Sequence, residues 1–221
     1  MKLIIDKAIT DKLPEFNVIA YTMNVNNSKS MEVDCYIDKL SKEYINKYEM
    51  AEIVNIPKLK ETRDGYKKLG KDPSHTRPAC EALLRRVVKG SGLYRLGDII
   101  DLGNILSLLT NRSVCVVDLD KIVGDVYIRI GKENEPYEGI NRGSINITNL
   151  PVYTDDIGPF GTPTSDTYRT MVTSDTKRIF IMIICYSKQE IEKDENLLLA
   201  LYQKYAGAQS INKIEVNYGK F

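Results

Sequence analysis

The segment of residues 96–110 constrains the fold most, because apolar residues occupy nearly every face of the helix that it predicts. Such a helix is stable only when other elements cover it on several sides. Three polar residues, Asp101, Asn104 and Ser107, recur three apart and form one stripe along it. Gly103 stands beside this stripe, although a glycine within a helix costs about 1 kcal/mol relative to alanine. We therefore expect a buried helix that another backbone or a ligand approaches at Gly103.

Helical patterns predominate in the first half of the chain, and apolar runs of strand length predominate in the second. The predicted helices cover residues 28–48, 78–90, 96–110 and 189–205. The predicted strands cover residues 3–6, 16–25, 113–117, 125–130, 152–154, 178–186 and 211–216. This order favours one α+β domain over residues 1–221, with the helices of the N-terminal half packed on a mixed or antiparallel sheet.

Composition and charge exclude several classes of protein. Of the 221 residues 43% are hydrophobic and 28% are charged, as in ordinary globular proteins. The net charge of +1 excludes a bulk polycation. The longest apolar run, residues 179–185, is too short for a bilayer-spanning helix of about 20 residues, and the N-terminal apolar run is too short for a signal peptide. We predict a cytoplasmic protein that does not bind membranes, of undetermined oligomeric state.

The few cysteines and the single histidine restrict the chemistry further. The four cysteines form no C-x-x-C pair, which excludes zinc ribbons and thioredoxin-type sites and is typical of reduced cytosolic thiols. A catalytic triad would have to use His75, which lies in a loop where an exposed histidine is the alternative interpretation. No glycine-rich nucleotide motif is present. We expect neither a metal nor a cofactor.

Basic residues concentrate between residues 58 and 89, where ten Lys and Arg occur. Clustered cations can bind phosphates, and Tyr66 within the segment could stack on a base. A solvated helix face explains the same charges, so the pattern leaves both interpretations open. If RNA binds here, the contacts predicted on the following helix are Arg77, Arg85, Arg86 and Lys89.

The loop of residues 158–169 is unusual because it contains two glycines, two prolines and four Ser or Thr residues. Its Thr164, Ser165, Asp166 and Arg169 could surround a small ligand with hydroxyl groups and charges. The same side chains also suit capping of the loop's own backbone. Either way, the chemistry of the loop predicts that it is ordered.

Three motifs, in this order and at matching spacing, resemble one family. They are I-D-L-G-N at residues 100–104, V-D-L-D-K-I-V-G at 117–124 and R-I-G-K-E-N-E at 129–135. They resemble the B3/4 domain of the bacterial phenylalanyl-tRNA synthetase β subunit, and the S-D-T-x-R loop at 165–169 is similar to one in free-standing proteins built around that domain. The resemblance covers about residues 77–186, and leaves a strand–helix extension (1–76) and a C-terminal helix and strand (187–221) outside it.

The resemblance implies an α+β fold with a pocket between the buried helix and the sheet. In the synthetase this pocket removes wrongly attached tyrosine from tRNA by hydrolysing the ester bond. Asn104 matches the family's pocket asparagine, Cys115 stands at the position of the usual histidine, and Asp166 is the only carboxylate near the position of the usual glutamate. The chain has no ATP-binding motif and is too short for a complete synthetase.

Two functions follow as alternatives. The first is an editing-type domain that hydrolyses misacylated tRNA in trans, with Asn104 and Asp166 as catalytic residues. The second is a non-catalytic module that binds RNA or a free amino acid. In both, Asn104 is expected to bond to the loop of residues 161–169 or to a ligand, because an unpaired buried amide costs about 1–3 kcal/mol. The residues predicted to bind the substrate are Gly103, Ser107, Cys115, Thr164, Ser165 and Arg169.

Overall fold

The computed structural model of the protein describes residues 1–220 and confirms the predicted α+β class. The helices are α1 (Lys7–Thr10), α2 (Met31–Lys47), α3 (Pro57–Leu69), α4 (Ala79–Val88), α5 (Asp98–Thr110) and α6 (Ile191–Ala206). The strands are β1 (Leu3–Asp6), β2 (Asn17–Asn24), β3 (Val114–Asp118), β4 (Val126–Ile130), β5 (Glu138–Gly139), β6 (Gly143–Ser144), β7 (Pro151–Thr154), β8 (Pro159–Gly161), β9 (Arg178–Cys185), β10 (Gln209–Lys213) and β11 (Val216–Gly219). None of these helices combines the length and apolarity that crossing a membrane requires.

The strands form two larger sheets and one hairpin. The first sheet is mixed, with the order β11-β1-β4-β7-β8, and β1 pairs in parallel with both β11 and β4. The second is antiparallel, with the order β10-β2-β9-β3, while β5 and β6 form a hairpin that an isolated bridge from Gly139 to Thr167 joins to the loop after β8. The single strand predicted at residues 211–216 is wrong, because the chain leaves one sheet after β10 and enters the other at β11.

Strand β9 lies at the centre of the molecule and is buried on both faces. Its residues Ile179, Ile181 and Ile183 belong to the core shared with α2, α4, α5 and α6. The alternate residues Phe180 and Met182 belong to the core shared with the mixed sheet. Because successive side chains of a strand point to opposite faces, burial on both faces requires an unbroken apolar run. Helices, antiparallel sheet and mixed sheet therefore stack as three layers.

Helix α5 occupies the interior that its apolar sequence predicted. A Cβ added at Gly103 would lie 2.7 Å from Val116 Cγ2 and 3.4 Å from the hydroxyl of Tyr202. The absence of a side chain at Gly103 therefore lets β3 and α6 pack closely against α5. In the polar stripe, the Asp101 carboxylate accepts the backbone N–H groups of Leu96 and Gly97 at 3.0 and 3.2 Å. The polar stripe thus begins with a carboxylate that orders the chain entering α5.

The basic segment contains a helix, α3, that the sequence analysis did not assign. It begins at Pro57 and ends before Gly70, whose φ of 95° is the left-handed conformation typical of a helix end. Its Tyr66 is fully buried, with the hydroxyl 3.0 Å from Thr164 Oγ1. The proposed stacking of a base on Tyr66 is therefore wrong, because the ring belongs to the protein core.

Gly65, in the middle of α3, provides the space for the ring of Tyr186. A Cβ at this position would contact Tyr186 Cδ1 and lie 2.6 Å from its Cε1, and Phe16 and Tyr66 pack around the same ring. We expect Gly65→Ala to lower the free energy of unfolding by about 1–3 kcal/mol, because overpacking outweighs the better helix propensity of alanine. Urea unfolding measures this. Lys60→Ala, at an exposed position of the same helix, should change stability by less than about 0.5 kcal/mol, and an equal effect of both variants would contradict the packing argument.

Candidate functional site

A cavity of about 660 Å³ opens at the N-terminal end of α5, beside β3. Its walls come from five parts of the chain: the connection from β2 to α2, the start of α5, β3, the β5–β6 turn and the loop leading to β9. The size is within the range of small-molecule sites. The lining residues are Asn27, Ser28, Lys29, Leu96, Gly97, Ile99, Ile100, Val116, Ile140, Asn141, Asp166, Met171, Val172, Thr173 and Ser174.

Polar contacts between distant segments hold these walls in place. The side-chain amide of Asn27 donates to the carbonyl of Thr173 at 2.6 Å, which joins two walls directly. The Ser28 hydroxyl donates to the Asp98 carboxylate at 2.6 Å and ties the first wall to α5. The Thr176 hydroxyl donates at 2.7 Å to Asp118, a residue of the second sequence motif. The cavity is thus preformed, and this part of the motif has a structural role.

Among the described residues that line the cavity, Asp166 is the one with an ionisable carboxyl group. Its side chain lies against Gly161, where an added Cβ would be 2.7 Å from Asp166 Oδ1, and it accepts a hydrogen bond from the Cys115 thiol. Burial raises the pKa of Asp166 from 3.8 to about 7, although the hydrogen bond from Cys115 opposes the rise. Near neutral pH this carboxyl group therefore exists in both protonation states.

The groups that face Asp166 stay neutral under the same conditions. Burial, together with the charge of Asp166, raises the pKa of the Cys115 thiol and of the Tyr137 and Tyr153 hydroxyls. Cys115 is therefore a thiol and a poor nucleophile. No cluster of three or more His, Cys, Asp or Glu suited to a metal ion occurs within residues 1–220. The available proton chemistry is that of Asp166.

The rest of the cavity combines an apolar wall with a polar end. Ile100 and Val116 supply apolar surface, and Met171 and Val172 face it. The backbone N–H group of half-buried Ile100, in the first turn of α5, has no partner among the described residues and can donate to a negatively charged oxygen, whereas Ile99 is fully buried. This arrangement suits a molecule with an apolar side chain next to a polar, reactive group.

Lys29 adds one positive charge at the edge of the cavity. Its ammonium group is exposed and has no ion pair within the described part of the chain. The cavity therefore has one carboxyl group in its wall and one free cation at its opening.

The structure brings together part of the predicted substrate-binding set. Cys115 contacts Asp166, and Thr164 and Ser165 lie in the same loop. Thr164 and Ser165 serve the loop itself: Thr164 Oγ1 bonds to Tyr66, and the Ser165 carbonyl accepts the Tyr137 hydroxyl at 2.5 Å.

Other predicted residues lie outside the cavity lining. The Ser107 hydroxyl donates to the carbonyl of Arg112 at 2.7 Å, and Gly103 packs on Val116. Arg169 donates to both carboxylate oxygens of buried Asp155, at 2.8 and 3.0 Å. Asn104 is half-buried, one turn beyond Ile100, and its side chain makes no hydrogen bond with residues 1–220. The expected bond from Asn104 to the loop of residues 161–169 is not present.

The predicted RNA-binding cations of α4 are largely engaged by the protein itself. Buried Glu81 pairs with Arg85 at 2.7 Å and with Arg77 at 3.5 Å. The guanidinium group of Arg86 lies 4.0 Å from the centre of the Tyr94 ring. Lys89 is exposed and has no ion pair with any described residue. One of the four cations is thus free of protein contacts.

Sequence reasoning missed most of the lining residues, which lie in loops. Asn27 and Lys29 follow β2 in a stretch where the asparagines predicted only a turn. Asn141 and Thr173 stand in segments without any recognisable motif. Their approach to α5 depends on long-range packing, for which the local sequence carries no signal.

The raised pKa of Asp166 predicts a pH dependence of stability. The folded protein keeps this proton up to about pH 7, whereas the unfolded chain releases it near 3.8, so stability falls as pH rises between these values. The difference between the two pKa values corresponds to a loss of at most about 4 kcal/mol in the free energy of unfolding. Because solvent in the cavity reduces the effect of burial, we expect a loss of about 1–3 kcal/mol. Asp166→Asn should remove this loss. Urea unfolding of the unaltered protein and of Asp166→Asn at pH 5 and pH 8 measures this loss. An equal change in the free energy of unfolding in both proteins would contradict the raised pKa of Asp166.

Comparisons with known proteins found a matching sequence profile and a similar fold. The profile of the B3/4 domain matches residues 61–200. The fold is similar to the crystal structure of an N-terminal fragment of the phenylalanyl-tRNA synthetase β subunit from Pyrococcus horikoshii, with a TM-score of 0.52 and 13% identity. That match covers 100% of this chain and 52% of the fragment, so the chain spans about half the length of its structural relative. None of the curated proteins matches the chain at a significant level.

Proposed function

The chain belongs to the B3/4 domain family, and from that premise we propose that its cavity binds the aminoacyl end of a tRNA and hydrolyses the ester bond. The observation that carries the proposal is Asp166, a carboxyl group in the wall of the cavity with a pKa of about 7. A general base works best when its pKa is close to the operating pH, because it is then both available and basic. The aminoacyl ester is already activated, so one base and a few hydrogen-bond donors are sufficient.

Each step of the proposed ester hydrolysis is assigned to a residue of the cavity. The Asp166 carboxylate takes a proton from a water molecule, and the water oxygen forms a bond to the ester carbonyl carbon. The N–H group of Ile100 stabilises the negative oxygen that results. The bond from the carbonyl carbon to the ribose oxygen then breaks, and Asp166 returns the proton to that oxygen. The products are the free amino acid and the 3′-hydroxyl of the tRNA.

Two predicted residues support this centre in the proposal. Cys115 positions Asp166 through the thiol hydrogen bond. Asn104 lies outside the cavity lining, one turn beyond Ile100 on the same helix, and its amide has no partner in the described fold, so we assign to it a hydrogen bond with a part of the substrate that extends beyond the cavity. Thr164 and Ser165 stabilise the loop that carries Asp166.

The charges favour an ester over a free amino acid. A free amino acid carries a carboxylate, and burial of a charge requires a paired cation. Arg169, the residue that the sequence offered for this role, is bonded to both oxygens of Asp155. The remaining cation, Lys29, lies exposed at the edge. An ester has no such charge and needs no buried partner.

A deacylation assay on a panel of misacylated tRNAs tests the proposal, with the Asp166→Asn protein as the matched control. Hydrolysis of at least one aminoacyl-tRNA well above the spontaneous rate, and its loss in the variant, would support it. Spontaneous rates across the panel would overturn it. Saturable binding of a tRNA without hydrolysis would instead favour the second candidate, a non-catalytic binding module.

A further inference from the structure

An open groove of about 670 Å³ adjoins the cavity at the ends of β2 and β9. It shares Asn27 and Ser174 with the cavity, so the two openings are neighbours on the same surface. Its lining is polar and rich in side-chain amides, which both donate and accept hydrogen bonds. The remaining lining residues are Asn24, Val25, Asn26, Thr176, Lys177 and Arg178.

The free charges of the groove and the cavity edge are positive. Lys177 is exposed and, like Lys29, has no ion pair with a described residue. The backbone of Lys177 is fixed, because its carbonyl accepts the N–H of Val25 at 2.8 Å. Arg178 is neutralised by Asp120, and exposed Asp175 is the nearest carboxylate in sequence but does not line the groove. Two uncompensated ammonium groups therefore stand along one path out of the cavity.

The basic face of α4 contrasts with this path. Two of its arginines are bonded to Glu81, and a third is stacked on Tyr94. Cations that are already paired gain less from a phosphate, because the existing ion pair must first be broken. The free lysines of the groove and of the cavity edge are the better phosphate ligands.

We propose that the groove binds the 3′-terminal nucleotides of a single-stranded RNA end, with backbone phosphates at Lys177 and Lys29 and the last ribose at the opening of the cavity. This inference rests on the proposed function, because it supplies the path by which the RNA carries its aminoacyl group to Asp166. The side-chain amides of Asn24 and Asn26 bond to base edges and to 2′-hydroxyl groups, as amides do in sites for unpaired RNA, while the amide of Asn27 stays bonded to Thr173. The adjacency of the two spaces and the sign of the free charges carry the argument.

The test measures the binding of a short single-stranded RNA, without an amino acid, at several salt concentrations. The double variant Lys29→Ala/Lys177→Ala should bind more weakly, and the slope of log affinity against log salt should fall by about 1.4, because each phosphate that a lysine no longer neutralises lowers it by about 0.7. The matched control, Lys39→Ala/Lys42→Ala, removes two exposed lysines of α2 and should leave affinity and slope unchanged. A circular RNA of the same sequence, which has no 3′ end, should bind less tightly.

Three results would overturn the inference: an unchanged slope in the groove variant, an equal loss in the α2 control, or equal affinity for linear and circular RNA. If the slope of log affinity against log salt falls in the triple variant Arg85→Ala/Arg86→Ala/Lys89→Ala but not in the groove variant, the RNA binds at α4 instead. Because the RNA carries no ester, this outcome is separate from the deacylation assay. Hydrolysis without groove binding would leave the proposed function intact, and groove binding without hydrolysis would leave only the RNA site.

Discussion

Replacement of Asp194 by asparagine is expected to lower the free energy of unfolding by about 3–5 kcal/mol, because it leaves a buried cation without its partner. Both Asp194 oxygens accept Lys58 Nζ at 2.9 Å, and one accepts Arg112 Nε at 2.8 Å. Arg112 and Asp194 are only 1% and 2% exposed. Glu190 also pairs with Lys58 at 2.9 Å, so Lys58 keeps one ion pair in the variant. Arg112 is therefore the cation that is left without a carboxylate partner. Equilibrium unfolding in urea measures the change.

The matched control for this prediction is Asp120→Asn. Asp120 pairs with Arg178, but both side chains are more than half exposed, and exposed ion pairs contribute about 0–1 kcal/mol. We expect a small change there. Similar losses in the two variants would show that burial does not set the strength of the interaction at Asp194.

Replacement of Asp166 by asparagine is expected to slow the proposed ester hydrolysis by about 10²–10⁴-fold, the usual contribution of a general base. The side chain keeps its size but can no longer accept a proton. In the unaltered protein the rate should rise with pH up to about 7 and then level, because the carboxylate is the active form. Single-turnover deacylation between pH 5 and pH 8.5 measures both effects.

Cys115 and Asp175 provide the controls for this experiment. Cys115→Ala removes the hydrogen bond that lowers the pKa of Asp166, so the midpoint of the pH profile should move upward while activity persists above it. Asp175→Asn, at an exposed position outside the cavity lining, should leave rate and profile unchanged. If Asp166→Asn hydrolyses the ester as fast as the unaltered protein, Asp166 is not the base.

The fold could be predicted where the hydrophobic pattern was continuous. The apolar faces of α5 predicted burial on several sides, the apolar run at residues 178–186 predicted a strand, and both elements lie in the interior. Helix α3 was missed because its lysines hid the helical spacing of Leu59, Tyr66 and Leu69, which are all buried. The strand predicted at residues 211–216 failed because local periodicity does not report which sheet a residue joins.

The candidate site could be predicted only in part. The unusual composition of the loop at 158–169 and the resemblance to the family pointed to Asp166, which does line the cavity. Arg169 was assigned to a ligand, but its partner Asp155 lies 14 residues away in sequence and carries no local signal of the pairing. Lys29 and Asn27 had no motif, since packing of the β2–α2 connection on α5 brings them to the cavity.

The parallel pairing of β1 with β11 has a consequence for the order of folding. Leu3 lies opposite Val216, so almost the whole chain separates two neighbouring strands of the mixed sheet. Contacts of such long sequence separation form slowly, because a large loop must close before the pairing is gained. Until then β1 presents an unpaired edge toward other chains. A nascent or truncated polypeptide that lacks β11 is therefore the species most prone to aggregate through its first strand.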